Sequence, residues 1–326
     1  MSGLIDQYGR DIEYLRLSVT DRCNFRCFYC IPKGVNRFTA VDKLITTEEH
    51  IRLVRLFGEL GVTKVRLTGG EPLVYRGITE LIEGISELPE ITDLSTSTNA
   101  SQLESHAAML GRAGISRINV SLDSLNADVF KKITHSKLSK VIAGLMAAKR
   151  AGLNPIKINM VVMRDINLNE VSAMVDFCIE NSFTLRFIEA MPVGTGGQAA
   201  QQHYVPLDEV KQILEKRFSL EPSKMFGAGP ARYYRIGDSD LNIGFITPVS
   251  QHFCDTCNRV RLSSEGTLYL CLGQQDTLEL RPLLRKGLSD DEMKLQIRTA
   301  IDRKPMQHDF NTRPEQVVRL MSMTVG

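Results

Sequence analysis

The side chains best suited to chemistry in this chain are its cysteines, and six of the seven fall into two groups. Cys23, Cys27 and Cys30 are spaced by three residues and then two. Cys254 and Cys257 are spaced by two residues, and Cys271 follows after thirteen more. Three thiolates within eight residues can wrap one metal ion or one cluster. A structural zinc usually takes four protein ligands, and no further cysteine or histidine follows Cys30 until His50. A cubane iron–sulfur cluster is held by cysteine thiolates, and three of them leave one iron open to a small molecule. The competing reading is a zinc loop completed from elsewhere in the chain. For the second group that competitor is stronger, because His252 could complete a Cys3His set. Arg259 and Arg261 follow directly, two apart. On a strand both would point the same way, and paired guanidiniums suit phosphate. The seventh cysteine, Cys178, sits in a helical stretch beside Val175 and Phe177 and reads as a buried free thiol.

These groups need a framework, and residues 13–190 supply a repeating one. Strand-like runs at 13–19, 63–68, 91–98, 116–122, 156–163 and 184–189 alternate with helical patterns such as 48–59, 102–113, 138–151 and 169–181. Thr46 and Glu49 have capping-box spacing, and Ala-Gly pairs at 113–114 and 151–152 mark helix ends. Repeated β-α units imply a parallel sheet with right-handed crossovers. Six units give an α/β architecture that is open or an incomplete (βα)6 barrel. The Cys23 loop follows the first strand, at the carboxyl end where such folds place active sites.

The strands also alternate in polarity. Arg16 and Ser18, Arg66 and Thr68, Ser95 and Ser97, Asn119 and Ser121, and Lys157 and Asn159 each share one strand face. Arg186 sits between Leu185 and Phe187. Helices cover the outside of β-α units, so the polar faces are expected to line an internal, cation-rich cavity. Residues 191–202, MPVGTGGQAAQQ, read as a loop, since GTGG lacks the spacing of a dinucleotide fingerprint or a P-loop. A helix is expected over 208–218. Hairpins follow around Gly237-Asp238 and Glu265-Gly266, then a helix over 289–303 capped by Ser289. Two modules are expected, at 1–220 and 221–326.

Composition bounds the function. In 326 residues, 43% are hydrophobic and 24% charged, which is globular rather than disordered. The net charge of +2 provides no overall basic field, so nucleic acid is not an expected partner. No apolar run is long enough to span a membrane, and the N-terminus lacks the apolar core of a signal peptide. Clustered thiols without a disulfide pattern fit a reducing compartment, and a cytoplasmic location is expected.

The Cys-x3-Cys-x2-Cys loop on the first β-α unit, with Phe28-Tyr29 inside it and Gly69-Gly70-Glu71-Pro72 closing the second strand, resembles the radical S-adenosylmethionine (SAM) enzymes. Over nearly its whole length the chain is similar to one branch, the GTP 3′,8-cyclases of molybdenum cofactor biosynthesis. The similarity rests on YLRLSVTDRCNFRCFYC, KVRLTGGEPL, NVSLDSL, IKINMVVM, LRFIEAMP and CDTCNRVR with Cys271. It implies that Cys23, Cys27 and Cys30 hold a [4Fe–4S] cluster that binds SAM, and that Tyr29, Gly70, Ser121 and Met191 contact SAM. It implies that Cys254, Cys257 and Cys271 hold a second [4Fe–4S] cluster whose open iron meets guanine. Arg16, Arg66, Ser97, Lys157, Arg259 and Arg261 would bind GTP. Arg186 is added here from the strand pattern alone. The implied chemistry begins when the first cluster reduces SAM to a 5′-deoxyadenosyl radical. That radical takes hydrogen from the ribose 3′ carbon, the sugar radical attacks guanine carbon 8, and one further electron and proton give the cyclised product. A flavodoxin- or ferredoxin-like reductant and a downstream cyclic pyranopterin monophosphate synthase are the implied partners, and a homodimer is compatible with the pattern.

The chain departs from that branch at three places. Ser97 replaces a usual threonine, Ala100 a usual glycine, and Val325-Gly326 a terminal Gly-Gly. Two other functions compete: a radical SAM peptide-modifying enzyme with an auxiliary cluster, and a zinc-stabilised nucleotide-binding protein without catalysis. A cation-rich cavity favours a nucleotide over a peptide, and iron analysis separates cluster from zinc.

Overall fold

The computed structural model describes every residue except 1, 2, 33, 36, 37, 116, 226–228, 238, 240, 325 and 326. The expectations that rested on Asp238 and Val325 therefore lie outside the described residues. Six strands carry the first part of the chain: β1 (Tyr14–Ser18), β2 (Lys64–Thr68), β3 (Asp93–Thr98), β4 (Arg117–Ser121), β5 (Ile156–Val162) and β6 (Thr184–Glu189). Between them run α1 (Thr47–Glu59), α2 (Ile78–Ser86), α3 (Leu103–Arg112), α4 (Ala127–Thr134), α5 (Leu138–Arg150) and α6 (Val171–Asn181). Thr46 opens α1 with the expected capping box: its hydroxyl accepts the Glu49 N–H, and the Glu49 carboxylate accepts the Thr46 N–H.

The stretch after β6 corrects the sequence expectation. Residues 194–200 form a helix, α7 (Gly194–Ala200), rather than a loop. Its glycines are there for close packing. A Cβ on Gly196 would lie 2.7 Å from the Tyr29 carbonyl, and one on Gly197 2.3 Å from that of Met191. Tertiary contact thus overrides glycine's poor helix propensity. Beyond it come α8 (Leu207–Glu215), β7 (Leu220–Ser223), β8 (Arg232–Ile236), β9 (Asn242–Ile246), β10 (Arg259–Leu262), β11 (Thr267–Tyr269), β12 (Thr277–Glu279), α9 (Leu280–Arg285), α10 (Asp290–Ile301) and α11 (Met321–Thr324). Ser289 caps α10 with a second capping box to Glu292.

The described strands make one sheet, in the order β12-β11-β10-β1-β2-β3-β4-β5-β6-β9-β8-β7. Strands β1 to β6 pair in parallel, β10 adds in parallel beside β1, and β9 adds in parallel beside β6. Antiparallel hairpins finish both ends. The end strands β12 and β7 are not neighbours, so the barrel is incomplete. Leu15, Leu17, Val65, Leu67, Val120 and Ile158 on one face join Leu53, Phe57, Leu81, Leu110 and Leu145 of the helices in a single apolar core. The alternate residues therefore face inward. Register aligns Arg261, Arg16 and Arg66 in one row across β10, β1 and β2. Among the described residues no helix is long and apolar enough to cross a membrane.

Candidate active site

Two cavities open from the inward face. One, the larger, is lined by Arg16, Arg66, Ser97, Arg186, Arg259 and Arg261 together with Cys254, Cys257 and Cys271. The other is lined by Cys23, Cys27, Cys30, Tyr29, Gly70 and Ser121. Ser97, Asn159, Ile188 and Met191 line both, so the two thiol trios face one shared space. Lys157 is buried but belongs to neither lining. It stands two residues before Asn159 on β5, with its ammonium 5.8 Å from the centre of the Tyr233 ring.

The loop carrying the first trio is fastened to the end of β2. Gly70 N–H donates to the Thr20 carbonyl at 2.7 Å, and Glu71 N–H to that of Arg22 at 2.8 Å. A side chain at Gly70 is impossible without movement, since its Cβ would lie 2.2 Å from the Arg22 carbonyl oxygen. The Glu71 carboxylate accepts from the Thr98 hydroxyl and from the N–H groups of Leu73 and Asn99, locking β2 to β3 at the same level. Asn99 also donates its side-chain amide to Cys23 Sγ at 3.8 Å. Tyr29 donates to the Asp123 carboxylate at 2.7 Å, which fixes the ring over this cavity. Burial pushes the Cys23 thiol up to about 11 and the Cys30 thiol up to about 12. It also raises Asp123 to about 6 and Glu71 to about 7. Thiolates in such a place need a cationic metal centre to offset desolvation.

The second trio has a different field. Burial opposes ionisation of Cys257, yet Lys304 and Arg259 hold its thiol below the ordinary value. Cys254 is raised by burial. Five arginines and Lys304 line the larger cavity, and among the described residues no aspartate or glutamate does. Burial, and then Arg259, bring Arg261 down to about 10, and burial brings Arg186 down to about 10. The Nε atoms of both are buried without a hydrogen-bond partner. Arg186 still reaches the Asn119 amide oxygen, and Arg66 donates to Ser95 Oγ at 3.3 Å. Guanidinium donors left unpaired in the interior are costly, and a polyanion entering this cavity would satisfy them.

Among the described residues, no three Cys, His, Asp or Glu side chains converge closely enough to hold a single metal ion. Zinc would draw sulfurs to about 2.3 Å from one point. Each cavity is lined by three cysteines, with no fourth cysteine in the lining. That arrangement fits a cluster larger than one ion and leaves part of its surface to the shared space. His252 is not in the lining of the cavity that holds Cys254, Cys257 and Cys271; its ring packs edge-on against that of His308 at 6.1 Å. Sequence reasoning did not find Lys304, His308 and Phe310, which line the larger cavity, or Asn99, Asp123 and Met321, which line the smaller. None of them has a local spacing that announces it.

The model of the Radical SAM superfamily matches residues 17–178, and that of Molybdenum Cofactor Synthesis C matches 183–310. GTP 3′,8-cyclase 1 of Pseudomonas aeruginosa is 46% identical over 330 residues, covering 100% of both chains. The chain belongs to the GTP 3′,8-cyclase family. The GTP 3′,8-cyclase of Hydrogenovibrio crunogenus is 43% identical over 328 residues, 99% of each chain. Among solved structures, Streptococcus suis SuiB bound to S-adenosylmethionine has a TM-score of 0.65 at 16% identity, covering 89% of this chain and 68% of that one. At that identity SuiB speaks to the fold alone. The cofactors of this cyclase family member are SAM and two [4Fe–4S] clusters.

Proposed function

We infer that this chain converts GTP to (8S)-3′,8-cyclo-7,8-dihydroguanosine 5′-triphosphate, the first step of molybdenum cofactor biosynthesis. The observation that carries this reading is the larger cavity: six cations, among the described residues no carboxylate, and a cysteine trio at its wall, beside a second trio across a shared lining. In this reading Cys23, Cys27 and Cys30 hold the cluster that binds SAM, and Cys254, Cys257 and Cys271 hold the cluster that meets the purine. When bound, the first cluster and SAM supply a carbon-centred radical able to take hydrogen from the ribose 3′ carbon.

The chain's own residues position the reactants. Arg16, Arg66, Ser97, Lys157, Arg259 and Arg261, with Arg186, take the triphosphate and ribose. Tyr29, Gly70, Ser121 and Met191 take SAM. Tyr29 is oriented by Asp123, and Gly70 leaves room for the loop that bears the cysteines. Ser97 and Met191 border both cavities and so fix how closely the two ligands approach. Burial of the chamber keeps water from a radical intermediate. Residues 1–220 supply the SAM side and 221–326 the second cluster. The reading places the enzyme in the cytoplasm, with a flavodoxin- or ferredoxin-like electron donor and cyclic pyranopterin monophosphate synthase as consumer of the product.

The test is anaerobic incubation with GTP, SAM and a strong reductant. 5′-Deoxyadenosine should appear only when GTP is present, in protein holding about eight irons. Formation independent of GTP, or zinc in place of iron, overturns the reading.

A further inference from the structure

Lys304 is among the most deeply buried large side chains of the protein, at 2% exposure. It follows α10 and lies far in sequence from every cysteine. Its ammonium donates to the Arg259 carbonyl at 3.0 Å and to the Leu270 carbonyl at 2.6 Å. Arg259 stands two residues after Cys257, and Leu270 immediately precedes Cys271. One side chain thus ties together the backbones that carry two of the three thiols. The next two residues reach the third: Arg10 donates to the carbonyls of Pro305, Met306 and Cys254 at 2.7–2.8 Å. Asp6 holds the Arg10 guanidinium from behind at 2.6 Å. Residues 304–306 therefore form a strap to which all three ligand-bearing segments are attached.

The charge of Lys304 lacks a conventional partner. Both its acceptors are neutral carbonyls, and its charged neighbours are Arg10 and Arg261 on one side and the Cys257 and Cys271 thiols on the other. Among the described residues no carboxylate pairs with it. A buried ammonium beside two arginines is costly unless an anion balances it. A [4Fe–4S]2+ core with three thiolates carries about one negative charge, and one more when reduced. Cluster potentials respond to net charge and to nearby hydrogen bonding, so a fixed cation favours the reduced state.

We propose that Lys304 is a positioning residue for the second cluster, and that its charge raises the reduction potential of that cluster. The proposal rests on the reading of Cys254, Cys257 and Cys271 as cluster ligands. It adds a residue that lines the larger cavity but is not among those assigned to GTP or SAM above.

The test compares wild type, Lys304→Met and Lys304→Arg by iron and sulfide analysis and by redox titration followed by EPR. The same substitutions in a Cys23→Ala/Cys27→Ala/Cys30→Ala chain assign the signal of the second cluster. Lys304→Met should hold about eight irons and shift only the second cluster to a more negative potential, while Lys304→Arg stays near wild type. Eight irons with an unmoved potential in Lys304→Met overturns the proposal and leaves the cluster reading standing. Four irons in wild type overturns the cluster reading itself. Should Lys304→Met lose the second cluster, retention in Lys304→Arg supports the role of the charge. Loss in both variants, with the first cluster and the thermal midpoint unchanged, overturns it in favour of shape alone.

Discussion

Arg261→Met removes one charge from the larger cavity while keeping an apolar stem in its place. The guanidinium is buried, its Nε has no partner, and it stands in register with Arg16 beside Arg259. In nucleotide-free protein these like charges repel in the interior, so their loss should leave the thermal midpoint unchanged or raise it. In the proposed function the same guanidinium forms one half of a buried ion pair with phosphate when GTP binds. Truncating such a pair costs about 2–5 kcal/mol, which at about 1.4 kcal/mol per decade weakens GTP about 30-fold to about 4000-fold. Anaerobic calorimetry on cluster-loaded protein without SAM measures the affinity, and scanning calorimetry without nucleotide measures the midpoint. The two effects should have opposite sense, as at other sites where function is held against stability. An unchanged GTP affinity, or a clear fall in the nucleotide-free midpoint, refutes the reasoning.

Other outcomes follow from the same structure. Burial, and then Arg186, bring Lys157 down from 10.5 to about 7. Between those values the unfolded chain binds the extra proton, so stability contributed by this site rises with pH from about 7 and is least below it. Lys157→Met should raise the midpoint at pH 7 and flatten that rise, and urea melts of the apoprotein at pH 6.5 and 9 would reveal it. Gly70→Ala drives a methyl into the Arg22 carbonyl. It should cost about 1–3 kcal/mol and deplete iron from the first site while the second keeps its own. Ser289→Ala removes the hydroxyl that accepts the Glu292 N–H at the start of α10. A loss of about 1 kcal/mol in chemical denaturation is expected, with GTP-dependent 5′-deoxyadenosine formation preserved.

The local elements were legible because their signals are local. Strand alternation placed Arg16, Arg66, Ser97 and Arg186 on the inward face, and a capping box at Thr46 and an N-cap at Ser289 located the starts of α1 and α10. The departure at Ala100 also acquires a physical meaning. The residue has φ 61°, a left-handed conformation that glycine adopts without a Cβ penalty. What sequence could not supply was long-range. Nothing near Lys304 or His308 says that they line the same cavity as Arg16. The glycines of α7 look like a loop until the Tyr29 and Met191 carbonyls are seen pressed against them. Nor does any local pattern announce that β10 pairs in parallel with β1 across about 245 positions.

That last pairing bears on how the protein is made. The first strand leaves the ribosome early, but its hydrogen-bonded neighbour on one side is not synthesised until three-quarters of the chain is out. Until then the row of inward arginines on β1 and β2 has an exposed edge, and the cysteine loop hangs from a strand secured on one side only. Assembly of the metal centres should thus wait for release of the full polypeptide. A fragment ending before residue 258 should expose that edge to pairing with other chains and aggregate rather than persist as a SAM-binding half.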